Sequence, residues 1–93
     1  MGPRPFGFMH YVYLLKSINK SFLYVGTTSD LKRRLVEHNT GRSFATKTYA
    51  PFKLVYYEAY AHKKDSDLRE RMLKHHGSVI GHLKRRVKNS LNV

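Results

Sequence analysis

The sequence has no cysteine. That excludes a disulfide scaffold, a thiolate zinc finger and a cysteine nucleophile. Acidic residues are scarce too: six Asp and Glu stand against eighteen Lys and Arg. No apolar run approaches the ~18–20 residues a membrane helix needs. Residues 1–9 (MGPRPFGFM) are too short and too rich in Pro and Gly for a signal peptide. They read as a flexible leader ahead of a domain over residues 10–91, and a cytoplasmic location is the expectation. There is no internal repeat and no linker. At 93 residues one domain is expected, burying about 60–65% of its unfolded surface around a small core.

What is present is positive charge. The formal net charge is +12 with neutral histidines. Such a field attracts polyanions, and nucleic acid is the leading candidate. Charge alone does not separate a binder from an enzyme.

The periodicity gives the elements. His10 to Ser17 (HYVYLLKS) and Phe22 to Thr27 (FLYVGT) are rich in β-branched and aromatic residues, as hairpin strands are. A two-residue loop at Ile18-Asn19 would pair Tyr13 with Tyr24 on one face. Ser29 or Asp30 caps a first helix that Gly41 ends. Residues 40–51 form a polar loop. Phe52 to Tyr60 is a third strand and Lys63 to His75 a helix with Gly77 as its stop. Ser78 opens a last helix to about Leu91. The class is α+β: a small three-stranded, mostly antiparallel sheet flanked by helices, in the order β-β-α-β-α-α.

Two features depart from plain packing. Leu31 and Leu35 mark the buried face of the first helix. Arg34 and His38 fall about −60° and −20° from Leu31, on that same apolar side. Either Arg34 snorkels and His38 packs, or both serve a site. Their i, i+4 spacing is a weak metal-ligand signal, discounted without cysteines or a carboxylate motif. In the hairpin, paired tyrosines are common sheet stabilisers. Gly26 is either a bulge or exit turn, or a gap that lets a backbone or phosphate come close.

Tyr11-Val12-Tyr13, ten intervening residues and then Tyr24-Val25-Gly26 resemble the GIY-YIG nuclease signature. Arg34 and His38 follow at that family's helix spacing. The runs YVYLLKS, LYVGTTSDLKRRLVEHN, PFKLVYYE and RERMLK, in this order, make the likeness specific. From His10 to about Leu91 the chain resembles the small stand-alone GIY-YIG proteins of bacteria, relatives of the nuclease domain of the excision-repair subunit UvrC. The family fold agrees with the element order above. The resemblance makes Tyr13, Tyr24, Arg34, His38 and Glu70 the catalytic set. Gly26 matches the glycine of the second triplet. The first triplet begins with Tyr11 instead of Gly, and Thr27 stands where the repair nuclease has Lys. Asn89 is a weak match for a downstream Asn.

The resemblance also implies chemistry. Glu70 would hold one Mg2+ or Mn2+, which keeps most of its waters and stabilises the leaving 3′-oxygen. Arg34 would hold the non-bridging oxygens. Tyr13 would accept a proton from water, provided that Arg34 and the metal lower its ordinary pKa of ~10. Tyr24 and His38 would position water and phosphate or relay the proton.

The residues themselves leave several points open. Glu70 lies off the Leu68–Met72 face, and an ion pair with Lys74 is its alternative role. Asp30 suits a cap, Glu37 the solvent face, and Asp65 and Asp67 the first turn of the second helix. Glu58 suits a buried hydrogen-bond partner. Beyond the pocket, Gly26, Arg42, Lys47, Tyr49, Lys84, Arg85 and Lys88 are candidates for contact with nucleic acid, or members of a solvated basic face. No recognition-helix or zinc-finger signature is present. The expected function is a metal-dependent DNA endonuclease, structure-selective or weakly sequence-specific, acting on forms such as branched, nicked or damaged DNA in repair or recombination. A binding module with little catalysis, or a nuclease that needs a protein partner for targeting, are the alternatives.

Overall fold

The computed structural model describes residues 8–93. Apart from Phe8 and Met9, the expected leader lies outside the described residues. The elements are β1 (His10–Ser17), β2 (Leu23–Thr28), α1 (Leu31–Asn39), a 3-10 turn (Lys47–Tyr49), β3 (Phe52–Tyr60), α2 (Lys63–His75), α3 (Gly77–Arg86) and α4 (Lys88–Leu91). The sheet is antiparallel with order β2-β1-β3.

β1 is the central strand and feeds two cores, one from each face. Alternate side chains of a strand point to opposite faces. Val12 and Leu14 meet Val25, Leu73, Leu83 and Val87 beneath α2 and α3. Tyr13 and Leu15 meet Phe52, with Leu31 and Leu35 of α1 packed against them. The expected stripe Ile80, Leu83, Val87 and Leu91 does line the first core.

The hairpin is longer than a two-residue loop allows. Ser17 N–H donates to the Phe22 carbonyl at 2.9 Å, which leaves four residues in the turn. Tyr13 therefore sits opposite Gly26, and Tyr24 opposite Leu15. The slip is two residues, so both tyrosines keep the predicted face. They are diagonal neighbours, with ring centroids 6.3 Å apart.

Asp30 caps α1, accepting from the Arg33 N–H at 3.0 Å. Gly41 leaves the helix at φ 74°, the left-handed region that favours glycine. At the other end of the chain two expectations change. Gly77 opens α3 instead of only stopping α2, whose C-cap is His76. The single expected last helix breaks at Val87 (φ −110°, ψ 24°), a residue that remains buried. Lys16 Nζ donates to the Leu91 carbonyl and ties α4 back to the central strand.

Glu58 is the hydrogen-bond partner its position suggested, half-buried at 16% side-chain exposure. Arg69 Nε and Nη2 grip its two carboxylate oxygens at 3.0 Å each, and the Tyr56 and Tyr60 hydroxyls donate to the same oxygens. Burial works to raise the Glu58 pKa, but the Arg69 and phenol hydrogen bonds outweigh it and hold the carboxyl below its ordinary value.

Candidate active site

The site is assembled around His38, the one buried residue of α1. Leu31 and Leu35 are only half-buried, whereas the imidazole is 0% exposed. Its Nε2 lies 2.8 Å from the Tyr13 hydroxyl and its Nδ1 2.6 Å from Thr46 Oγ1. Thr46 is also 0% exposed. The rings of Tyr13, Tyr24 and Phe52 surround the imidazole at centroid distances of 5.8, 5.2 and 5.9 Å. Burial, with Arg34 adding to it, pushes the His38 pKa down to about 4. His38 is thus neutral at physiological pH and joins Tyr13 to Thr46 in an unbroken polar chain.

Tyr13 departs from expectation. Burial pushes its pKa up to about 12, and the pull of Arg34 does not offset this. The phenol therefore stays protonated in the protein by itself. Its ring lies against Gly26: a Cβ built there would stand 2.4 Å from the Tyr13 hydroxyl oxygen. The gap left by the glycine is thus filled by Tyr13 and not held open for a phosphate.

Arg34 is fixed at the pocket's mouth. Its Nη1 donates to Glu37 Oε1 at 3.1 Å and its Nη2 faces Ser43 Oγ at 3.5 Å. Glu37, expected on the solvent face, folds back onto this guanidinium and partly neutralises it. The Arg34 side chain retains 31% exposure, enough to meet a ligand.

Glu70 approaches from α2. Its charge reaches Tyr13, and its Oε2 pairs with Lys74 Nζ at 3.2 Å. That ammonium also stands 5.2 Å from the centre of the Tyr24 ring. The Glu70 side chain keeps 26% exposure. Among the described residues no three His, Cys, Asp or Glu side chains form a metal-ligand group. This donor set does not suit a closed zinc cage. A lone carboxylate of this kind can hold a hard cation that keeps most of its waters, and the part-exposed Glu70 is the candidate.

The remaining candidates are dispersed. Tyr49 stacks on Phe22, with centroids 3.8 Å apart and planes at 7°, so one face of its ring is already used. Lys47 is exposed and lies over Phe44, and Arg42 is exposed beyond α1. Lys84 shares an open groove with Tyr24 and Lys74 beside the outer edge of β2. Arg85 Nη2 lies 2.7 Å from His82 Nδ1, and Lys88 is exposed at the start of α4. Asn89 is exposed in α4.

Sequence reasoning missed three supporting residues. Thr46 and Ser43 lie in a loop whose composition is simply polar, so nothing marks them as buried. Asn39 clamps α1 to β3: its Oδ1 accepts from the Phe52 N–H at 2.6 Å and its Nδ2 donates to the Phe52 carbonyl at 3.0 Å.

A family model described as the GIY-YIG catalytic domain matches residues 9–89. The chain is similar to a UPF0213 protein of Clostridium perfringens, at 40% identity over 67 residues and 71% of each chain. It is also similar to a UPF0213 protein of Bacillus pumilus, at 41% identity over 58 residues, 61% of this chain and 58% of that one. The solution NMR structure of a UPF0213 protein from Bacillus halodurans has a similar fold. Its TM-score is 0.56 at 28% identity, over 90% of this chain and 92% of that one. No helix among the described residues is long and apolar enough to cross a membrane.

Proposed function

Because the chain belongs to the GIY-YIG catalytic-domain family, a nuclease family that acts on DNA and generally uses divalent metal ions, we propose that it is a metal-dependent endonuclease hydrolysing DNA phosphodiester bonds. The observation that carries this reading is the buried Tyr13–His38–Thr46 chain, with Arg34 beside it. The two hydrogen bonds satisfy a buried imidazole, and beside the Arg34 guanidinium the same chain can also move a proton.

A phenol held near pKa 12 is not a ready base, but it is a good conduit. Water attacking phosphorus passes its proton to the Tyr13 oxygen while Tyr13 passes its own to His38 Nε2. The P–O3′ bond breaks, and because His38 is a weak base the proton stays there only briefly before it returns through Tyr13 to solvent. The Nδ1–H of His38 donates to Thr46 Oγ1 throughout. Arg34 holds the non-bridging oxygens as negative charge grows on them. Tyr24 bounds the water's position. Mg2+ or Mn2+ held by Glu70 would supply charge stabilisation for the leaving 3′-oxygen. Selectivity for DNA shape, and a place in repair or recombination, fit a chain without a groove-reading helix signature.

The test is cleavage of supercoiled plasmid and a branched-DNA panel, with Mg2+, with Mn2+ and with chelator, by wild type and Glu70→Gln. Metal-dependent cutting should fall at least ~100-fold in the variant while DNA binding persists. Equal cutting by both proteins would remove Glu70 from the site.

A second reading is favoured by the Glu70–Lys74 pair. If that ammonium leaves Glu70 only when DNA or a targeting protein draws it away, the isolated domain will bind DNA without cutting it.

A further inference from the structure

Among the described residues, the sheet face that carries Tyr13 is only partly covered. Leu31, Arg34 and Leu35 of α1 lie over Tyr13, Leu15 and Leu54. Toward the other end of the same face stand Tyr11 and Tyr57. Tyr57 is the cross-strand partner of Tyr13, and directly opposed residues bring their Cβ atoms to about 5 Å. Yet Tyr13 is 3% exposed and Tyr57 is 52% exposed. Tyr11 meets Tyr57 edge-to-face, with ring centroids 5.8 Å apart and planes at 71°. This contact braces Tyr57 against Tyr11. A large aromatic ring is thus presented to solvent, braced by a second ring and one strand away from the residue at the centre of the site.

We propose that Tyr57, braced by Tyr11, is a stacking platform for a nucleobase next to the reacting phosphate. The role rests on the nuclease function proposed above. Two things identify the occupant. Tyr57 lies directly across from Tyr13, so a nucleic acid whose phosphate meets the Arg34 guanidinium beside Tyr13 brings an adjoining sugar and base over this part of the sheet. The +12 charge of the chain selects a polyanion over a neutral aromatic ligand. Base–aromatic stacking tolerates any sequence because every base has a π-face. A base inside an intact duplex has neighbours on both faces and cannot stack on protein. The platform therefore selects a base with a free face, as at a strand end, a nick or a single-stranded segment.

The test uses the full chain with chelator, so that no cutting occurs, and DNA carrying 2-aminopurine in a single-stranded overhang or at a fully paired position. Stacking on a tyrosine ring quenches this fluorophore. Wild type and Tyr57→Phe should quench the overhang probe and bind it with similar affinity. Tyr57→Leu and Tyr57→Ala should lose the quenching and bind about ten-fold or more weakly. Tyr57→Leu keeps apolar cover on the sheet, and thermal melts identify any variant that fails to fold. Binding by wild type without quenching, or equal quenching by Tyr57→Leu, would overturn the platform and leave the nuclease reading standing. Failure of wild type to bind any DNA would overturn both.

Discussion

At Gly26 a single methyl group has the most to displace. The added Cβ would lie 2.4 and 2.5 Å from the Tyr13 hydroxyl oxygen and Cζ, and 2.9 Å from a Tyr24 ring carbon. Both site tyrosines would have to move. Gly26→Ala should cost about 1–3 kcal/mol of stability through overpacking. It should lower turnover more sharply, about 100-fold, because the phenol shifts by an ångström or so. Urea melts beside single-turnover cleavage would separate the two effects. His38 supplies a second test. Its pKa is lowered from 6.5 to about 4 by burial first and Arg34 second, so the folded state refuses a proton that the unfolded chain accepts. The stabilisation is present above pH 6.5, drains away as pH falls toward 4, and totals on the order of 3 kcal/mol. Urea midpoints at pH 7, 5.5 and 4 should show this slope in wild type and lose it in His38→Gln. Thr46→Val, which leaves a ring nitrogen unpartnered, should add about 1–3 kcal/mol of destabilisation.

Among the elements, α2 does two jobs. One side of it carries Glu70 toward the site, and Arg69, one residue earlier, grips Glu58 on β3. The helix is therefore anchored to the sheet beside the glutamate that must be placed accurately. Arg69→Met should leave Glu58 with only its two phenols and a half-buried charge. The expected loss is about 2 kcal/mol, below the range for fully buried pairs because both side chains keep some water. The Glu58 carboxyl should also titrate higher, so the variant should lose stability on acidification at a higher pH than wild type. Chemical-shift titration of the Glu58 carboxyl carbon in both proteins would check this. A shift of Glu58 downward in the variant would contradict the assigned role of Arg69.

For the whole molecule, the parts legible in the sequence are those fixed by local chemistry. The bounds of β3 and α2, the Asp30 cap, the Gly41 exit, the last-helix stripe and the half-buried Glu58 all follow from periodicity, capping and turn preferences over a few residues. The hairpin register did not follow, because nothing local decides between a two-residue turn at Ile18-Asn19 and the four-residue turn observed. Nor did the burial of Thr46 and Ser43, or the seat of Tyr49 on Phe22. Those depend on where a polar loop lands once α1 has packed. The placement of Arg34 and His38 on the inner side of α1 was visible as an anomaly of pattern. The partners that give the anomaly meaning, Thr46 and Glu37, were not.

The two-sided burial of β1 has an outcome that a mutational map would display directly. Val12 and Leu14 face one core, while Tyr11 and Tyr13 face the site and its proposed platform. Score every substitution from Tyr11 to Leu14 twice, once for protein abundance in cells and once for DNA cutting per molecule. The two maps should then part at the tyrosines. Tolerated size and polarity should govern abundance at Val12 and Leu14, while Tyr11 variants and Tyr13→Phe should accumulate normally and cut poorly. Larger changes at Tyr13, which is 3% exposed in the second core, should lower both. One four-residue stretch would thus report on folding and on chemistry in turn.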